Sequence, residues 1–192
     1  MLLGCAVLLA SPTARATSVT PPTFAELVAE AQLIVRARID AVRAAWVDTP
    51  QGRVIKTYVT ATTLKPLKGS VPTTLTLQLL GGELDGHGLR VAGMPQFQPG
   101  QEEYLFVNGN GARFCPLVGM MHGRYRVLTD AATAREYVAR DDRLPLVSEH
   151  DVQLPQPATG PVLRLRTPAS ALTPLAFEQR IALEVTRHAA QP

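Results

Sequence analysis

From Leu33 to Leu79 the apolar side chains recur at every second position, in three runs separated by turn residues. That period of two is what most limits the fold. Leu33, Val35, Ala37 and Ile39 alternate with Ile34, Arg36, Arg38 and Asp40, and the run continues, bent, towards Trp46. Ile55, Thr57, Val59 and Ala61 alternate with Val54, Lys56, Tyr58 and Thr60, and Leu75, Leu77 and Leu79 have threonine and glutamine between them. Successive side chains of a strand point to opposite faces, so each run reads as a half-buried strand. Pro50-Gln51-Gly52 turns the chain after the first run and Lys68-Gly69 closes the second. The three runs therefore form an antiparallel meander of two long strands and a shorter third.

The flanking sequence punctuates this meander. Thr23-Phe24-Ala25-Glu26 has the form of a capping box, and Phe24, Leu27, Val28 and Ala31 follow at helical spacing, which predicts a short N-terminal helix. Gly81-Gly82 to Gly86-His87-Gly88 precedes a further short strand at 89–92 rather than a helix. It therefore reads as a hairpin or bulge and not as a phosphate cradle. Residues 93–100 form a loop ending in a Pro99-Gly100 turn. Strands are expected at 103–107, 113–118 and 124–128, with a hairpin at Asn108-Gly109-Asn110-Gly111 and a turn at 119–123. Tyr137-Val138 and 144–147 are expected to pair around Arg140-Asp141-Asp142-Arg143. The proline-rich stretch 153–161 reads as a linker and 162–166 as one more strand. Thr173 as cap and Pro174 at the first position open a C-terminal helix, with Phe177, Ile181, Val185 and His188 as its candidate buried face.

The first segment reads as a signal peptide over 1–16. Leu2–Ala10 is an apolar run of the right length, and Ala14-Arg15-Ala16 fits a small-x-small cleavage site, so export to a periplasmic or extracellular space is expected. Leu3-Gly4-Cys5 carries a faint lipoprotein signal as the alternative. No later stretch is long and apolar enough for a membrane span. Once Cys5 is removed, Cys115 has no internal partner. It reads as a buried small hydrophobe, with intermolecular pairing or reactivity as alternatives. The net charge of +3 comes from scattered lysines and arginines, which argues against a nucleic-acid face.

No constellation for catalysis stands out. No serine lies in a nucleophile elbow, and Cys115, which could meet His122, precedes Pro116 with no cation in sight to activate it. The four histidines, His87, His122, His150 and His188, lie in different elements without zinc-site spacing. The chain therefore reads as non-enzymatic, with no cofactor. Apolar residues do stand where loops are usually polar, at Met94 and Phe97 in one loop and at Met120 and Met121, beside His122, in another. These five are the candidate residues for contact with a protein partner. A soft-metal (copper) site using Met120, Met121, His122 and Cys115 is the alternative. Trp46, the single tryptophan, reads as a cap on the core or as a binding hot spot.

Several pieces, in order, resemble the OB-fold domain of the netrin-like and tissue-inhibitor-of-metalloproteinase superfamily. They are the alanine-led strand Ala31-Gln32-Leu33-Ile34-Val35-Arg36-Ala37, the long strand Ile55–Val59 leading to Leu67-Lys68-Gly69, and Gly100 followed by Glu103-Tyr104-Leu105-Phe106. The match covers roughly 24–128. The chain is also similar to a group of exported bacterial proteins with counterparts of Gly93-Met94-Pro95 and Cys115-Pro116-Leu117-Val118-Gly119. The resemblance implies a mainly β fold, an OB-like antiparallel β-barrel with a short N-terminal helix and a C-terminal helix. The barrel would occupy 17–130 and the extension that carries the last helix 131–192. It also implies a secreted metalloprotease as the class of partner, although no cysteine stands at Thr17-Ser18-Val19 or Pro21-Pro22 to chelate a protease zinc as tissue inhibitors do.

Overall fold

The computed structural model describes residues 20–157 and 166–190. The expected signal peptide, its cleavage site and most of the expected strand at 162–166 lie outside the described residues. Helix α1 (Phe24–Glu30) begins on the expected capping box, with the Thr23 side chain accepting from the Glu26 amide and the Glu26 carboxylate accepting from the Thr23 amide. Strand β1 (Leu33–Thr49) and β2 (Gly52–Lys68) are antiparallel along their whole length, and β3 (Thr74–Leu80) follows on the far side of β2. Strands of 17 residues span about 55 Å if straight, far more than a domain of this size can use. Register shifts at Ile34/Val35, Arg36/Ala37 and Ile39/Ala41 bend the pair and let it coil around its own inner face.

The hairpin of β4 (Gly82–Leu84) and β5 (His87–Leu89) stands apart as a two-stranded sheet. β6 (Glu102–Val107) returns to pair with the first third of β1, followed by β7 (Arg124–Thr129) and β8 (Glu136–Arg140). The order in the main sheet is β3-β2-β1-β6-β7-β8, all antiparallel, so the protein is mainly β, with two α-helices among the described residues, and its sheet is open. β8 lies in the stretch read as an extension, yet it is a strand of this sheet.

The segment between β6 and β7 departs from expectation. Residues 113–118 form no strand beyond a single bridge of Leu117 to Val107. Gly109 and Gly111 take left-handed backbone angles (φ 68° and 84°), so the chain swings away from β6 instead of folding back in a tight hairpin. Pro116 has no amide to continue a ladder. The segment instead runs from β6 to the outer edge of β3. Phe114 accepts from the Leu80 amide (2.7 Å), and the Asn110 side chain accepts from the Gln78 amide (3.0 Å) and donates to the Thr76 carbonyl (2.7 Å). A side-chain amide thus satisfies backbone groups that an exposed strand edge would leave unpaired.

Two main cores result, one on each face, beside a small cluster of Tyr137, Ala139 and Ala171. Helix α2 (Pro174–Ala189), capped by Thr173 as expected, sets Phe177 among Phe24, Tyr104, Phe106 and Tyr125, with ring centroids 5.1–6.3 Å apart. Phe177 and Ile181 are fully buried there with Leu27, Val28 and Ile34. Val35, Ala37, Ile39, Val59, Ala61 and Leu75, Leu77 and Leu79 of β3 fill the opposite, coiled face together with Phe97, Cys115 and Leu117. The period-two reading is therefore met at Val35, Ala37, Ile39, Val59, Ala61, Leu75, Leu77 and Leu79, whereas Ile34 is buried in the opposite core and Leu33 only packs against the coiled one.

Candidate functional site

At the end of the coiled face, beyond the reach of β6, a cleft of about 590 Å³ opens between three elements. Its floor is Val42 and Ala44 of β1, Thr57 of β2 and Leu79 of β3. Two glycines seat the β4–β5 hairpin against this floor. A Cβ on Gly81 would lie 2.5 Å from the Leu89 carbonyl oxygen, and one on Gly82 would lie 2.6 Å from Thr57 Oγ1. Both have positive φ (99° and 136°), so only glycine fits without strain. Thr57 donates to the Gly81 carbonyl (2.7 Å), and the Gly81 amide donates to Ile55 (2.8 Å). Trp46 holds the hairpin tip, its indole N–H donating to Asp85 (3.3 Å) and its ring meeting His87 edge-on at 5.5 Å, with Arg53 stacked 4.9 Å away. Its role is to pin the hairpin.

The facing wall is the loop at 94–97, and a buried charge fixes it. Arg124 of β7 has no solvent exposure. It donates to both carboxylate oxygens of the equally buried Glu103, to Asp141 (2.7 Å) and to the Gln96 carbonyl (2.7 Å), and its guanidinium lies 4.3 Å from the Phe97 ring centre. Burial raises the Glu103 carboxyl, and the bidentate Arg124 opposes that rise. This network was not visible in the sequence as a functional feature. It is the anchor of one wall.

Of the five expected contact residues, the structure brings Met94, Met120 and Met121 into one neighbourhood, all half-buried. Met94 lines the cleft, and the Met120–Gly123 turn lies against Gly93. Phe97 and His122 are largely buried, and Phe97 still lines the cleft. Phe97 is 8% exposed, its ring packed in the coiled core under Arg124, and His122 is 2% exposed. His122 Nδ1 faces the Gln156 side chain at 3.3 Å. Burial, aided by the Arg140 charge, holds its imidazole below the usual histidine range, in the neutral form at neutral pH. Cys115 is buried in the coiled core, and burial pushes its thiol up. Cys115 and Met120 pack on the coiled core, whereas His122 Nδ1 faces Gln156. Among the described residues no group of three histidine, cysteine, aspartate or glutamate side chains is placed to hold a metal.

Sequence reasoning missed Val42 and Leu89, which flank the cleft at 37% and 36% exposure. The available signal was the Gly81-Gly82 pair, read as a turn marker when it is also a packing seat. No helix of the described residues is long and apolar enough to cross a membrane. Compared with known proteins, the chain matches no family model and no curated sequence at a significant level.

Proposed function

We propose that this chain is an exported, non-enzymatic binding module that takes a protein partner at the cleft between the β4–β5 hairpin and the 94–97 loop. The observation that carries this reading is the presence of two large apolar side chains, Val42 on the floor and Leu89 on the hairpin wall, left exposed in a cleft of about 590 Å³. Leaving such side chains in water sacrifices the burial energy they would gain elsewhere, and clefts with apolar walls and a few polar groups are the usual seats of recognition. Arg90 and Glu83, ion-paired at 2.6 Å, supply the polar groups at the rim. The coiled β1–β2–β3 meander, closed over by residues 108–118, supports an OB-like barrel as the scaffold. The resemblance to the netrin-like and tissue-inhibitor superfamily makes a secreted metalloprotease the partner class to test first.

The test is capture of secreted metalloproteases by the purified chain, with Val42→Asp and Leu89→Asp as cleft variants and Leu183→Asp, on the exposed side of α2, as control. A charge placed in an apolar contact costs binding by about tenfold or more, so both cleft variants lose capture and the control keeps it. Equal capture by all three removes the cleft as the site.

A further inference from the structure

We propose that the open edge of β1 between Ala41 and Asp48 takes up an extended, acidic segment of the protein partner as an added β-strand. The proposal rests on the reading of the cleft as a partner site and names how the partner is held there. β6 fills the lane beside β1 only opposite 33–38. Just beyond, the Ile39 amide donates to the Gln101 carbonyl (2.8 Å) and the Ile39 carbonyl accepts from Gly100 (2.7 Å). The chain then turns away at Pro99-Gly100, and β1 runs on to Thr49 with β2 on one side alone. Which backbone groups face the open lane follows from β2. The Ile55 carbonyl accepts from Gly81 and the Thr63 amide donates to Thr73, so the odd residues of β2 turn their backbone groups to the β3 side. Its even residues therefore bond β1, where Thr60, Tyr58, Lys56 and Val54 are paired with Ala41, Arg43, Ala45 and Val47. The amides and carbonyls of Val42, Ala44 and Trp46 point the other way, into the lane, and no other group among the described residues bonds them.

The two outermost strands of the same sheet are treated differently. The outer edge of β3 is covered by Phe114 and the Asn110 side chain. That of β8 is covered by Leu146, which donates to Val138 (2.9 Å), and by Leu172, which accepts from it (2.8 Å). An uncovered edge is a template for pairing, and native sheets blunt the edges they do not use. β1 presents its alternate groups about 7 Å apart, a spacing that another extended backbone meets. Side chains decide which backbone. The register shift at Ile39/Ala41 puts Val42 and Ala44 on the coiled face, in the cleft floor, so alternate side chains of an added strand meet an apolar surface there. On the other face the exposed Arg43 stands at the edge with no ion pair among the described residues. An acidic residue on that face of the added strand complements it. A second copy of this chain would bring another Arg43 to the same edge, and that like charge disfavours it.

The test is amide hydrogen exchange on the full chain with a synthetic probe, an acetylated and amidated heptapeptide of alternating glutamate and valine. In the free chain the amides of Val42, Ala44 and Trp46 are expected to exchange about tenfold or more faster than those of Arg43 and Ala45, and saturating peptide is expected to remove that difference. The same peptide N-methylated at its valines keeps every side chain but loses the donors that face β1, and is expected not to bind. Ala44→Pro removes one donor of the lane without touching the β1–β2 ladder, and is expected to weaken peptide binding by about tenfold or more. Equal exchange of the two sets in the free chain, no slowing with peptide, or undiminished binding of the methylated peptide overturns the proposal. Protection that rises with chain concentration alone assigns the edge to a second copy and overturns it too. Ala44→Pro also separates this proposal from the reading it rests on. Metalloprotease capture that survives Ala44→Pro but not Val42→Asp overturns the added strand and leaves the cleft. Peptide protection of the edge without any metalloprotease capture supports the added strand and removes that partner class.

Discussion

The two faces of the sheet are closed by different means. On the helix side, regular elements do the work: α1 and α2 lie on the strands, Phe177 sits among four other rings, and Glu178 ties α2 to the sheet. On the coiled side no α-helix packs among the described residues. The cover is made of the β4–β5 hairpin, the 94–97 loop and the 108–118 segment, each held by a few specific contacts such as Arg124, Asn110 and the Gly81–Gly82 seat. A face sealed by helices is filled. A face covered by separate irregular pieces leaves gaps between them, and the cleft is one of these gaps. Loops on a rigid scaffold are where binding residues concentrate, and this asymmetry gives a physical reason for it.

If the helix side is the main store of stability, Phe177→Ala has the largest effect, a loss of about 3–5 kcal/mol in denaturant unfolding. A value under about 1 kcal/mol would break the contrast. Arg124→Met comes next. It leaves Glu103 buried without its partner, at a cost of about 3 kcal/mol, and frees the 94–97 loop, seen as faster amide exchange there. The double variant Arg124→Met with Glu103→Leu is expected to recover much of the stability and none of the loop protection. That separates the energetic role of the pair from its positioning role.

Glu178→Gln tests the tie between helix and sheet. Burial raises the Glu178 carboxyl, but the hydrogen bonds from Lys65 (2.5 Å) and Tyr104 (2.9 Å) and the charges of Lys65 and Arg36 outweigh it, and the group titrates below the usual glutamate range. A folded-state value below the unfolded one means the stabilisation is present above the unfolded value, near 4.5, and is lost as pH falls through the lower folded one. The variant is expected to cost about 2 kcal/mol at pH 7 and less with each step of acidification through that window. His122 acts in the same direction at higher pH. Its imidazole is held neutral, so the unfolded chain takes up a proton first, and stability is expected to fall as pH drops below about 6.5. His122→Gln removes that part of the slope. The smallest effect is Val42→Asp, expected to change stability by no more than about 0.5 kcal/mol because the side chain already faces solvent. A large loss there would make Val42 part of the core rather than of a site.

The scaffold was legible where local pattern decides structure. The period of two located the strands, and the Thr23 and Thr173 caps located both helices, because each signal lies within a few residues. Residues 113–118 were misread because their alternation is strand-like, while Pro116 and the backbone of Gly109 and Gly111 send them across to β3. Arg124 points inward because Glu103, 21 residues earlier, meets it on the adjacent strand, and no local pattern encodes that meeting. The candidate site was half legible. Apolar residues in loops pointed to Met94, Met120 and Met121, whereas Phe97 and His122 are buried by neighbours distant in sequence. Val42 and Leu89 escaped because the period of two says which residues share a face, not where the cover over that face ends.

The measurement that bears most directly on the account is capture from the chain's own exported protein fraction, run in parallel for wild type, Val42→Asp and Leu89→Asp at matched folded concentration. A metalloprotease retained by wild type and lost from both variants is the expected result. The same protein retained by all three, or no metalloprotease retained by wild type, contradicts it.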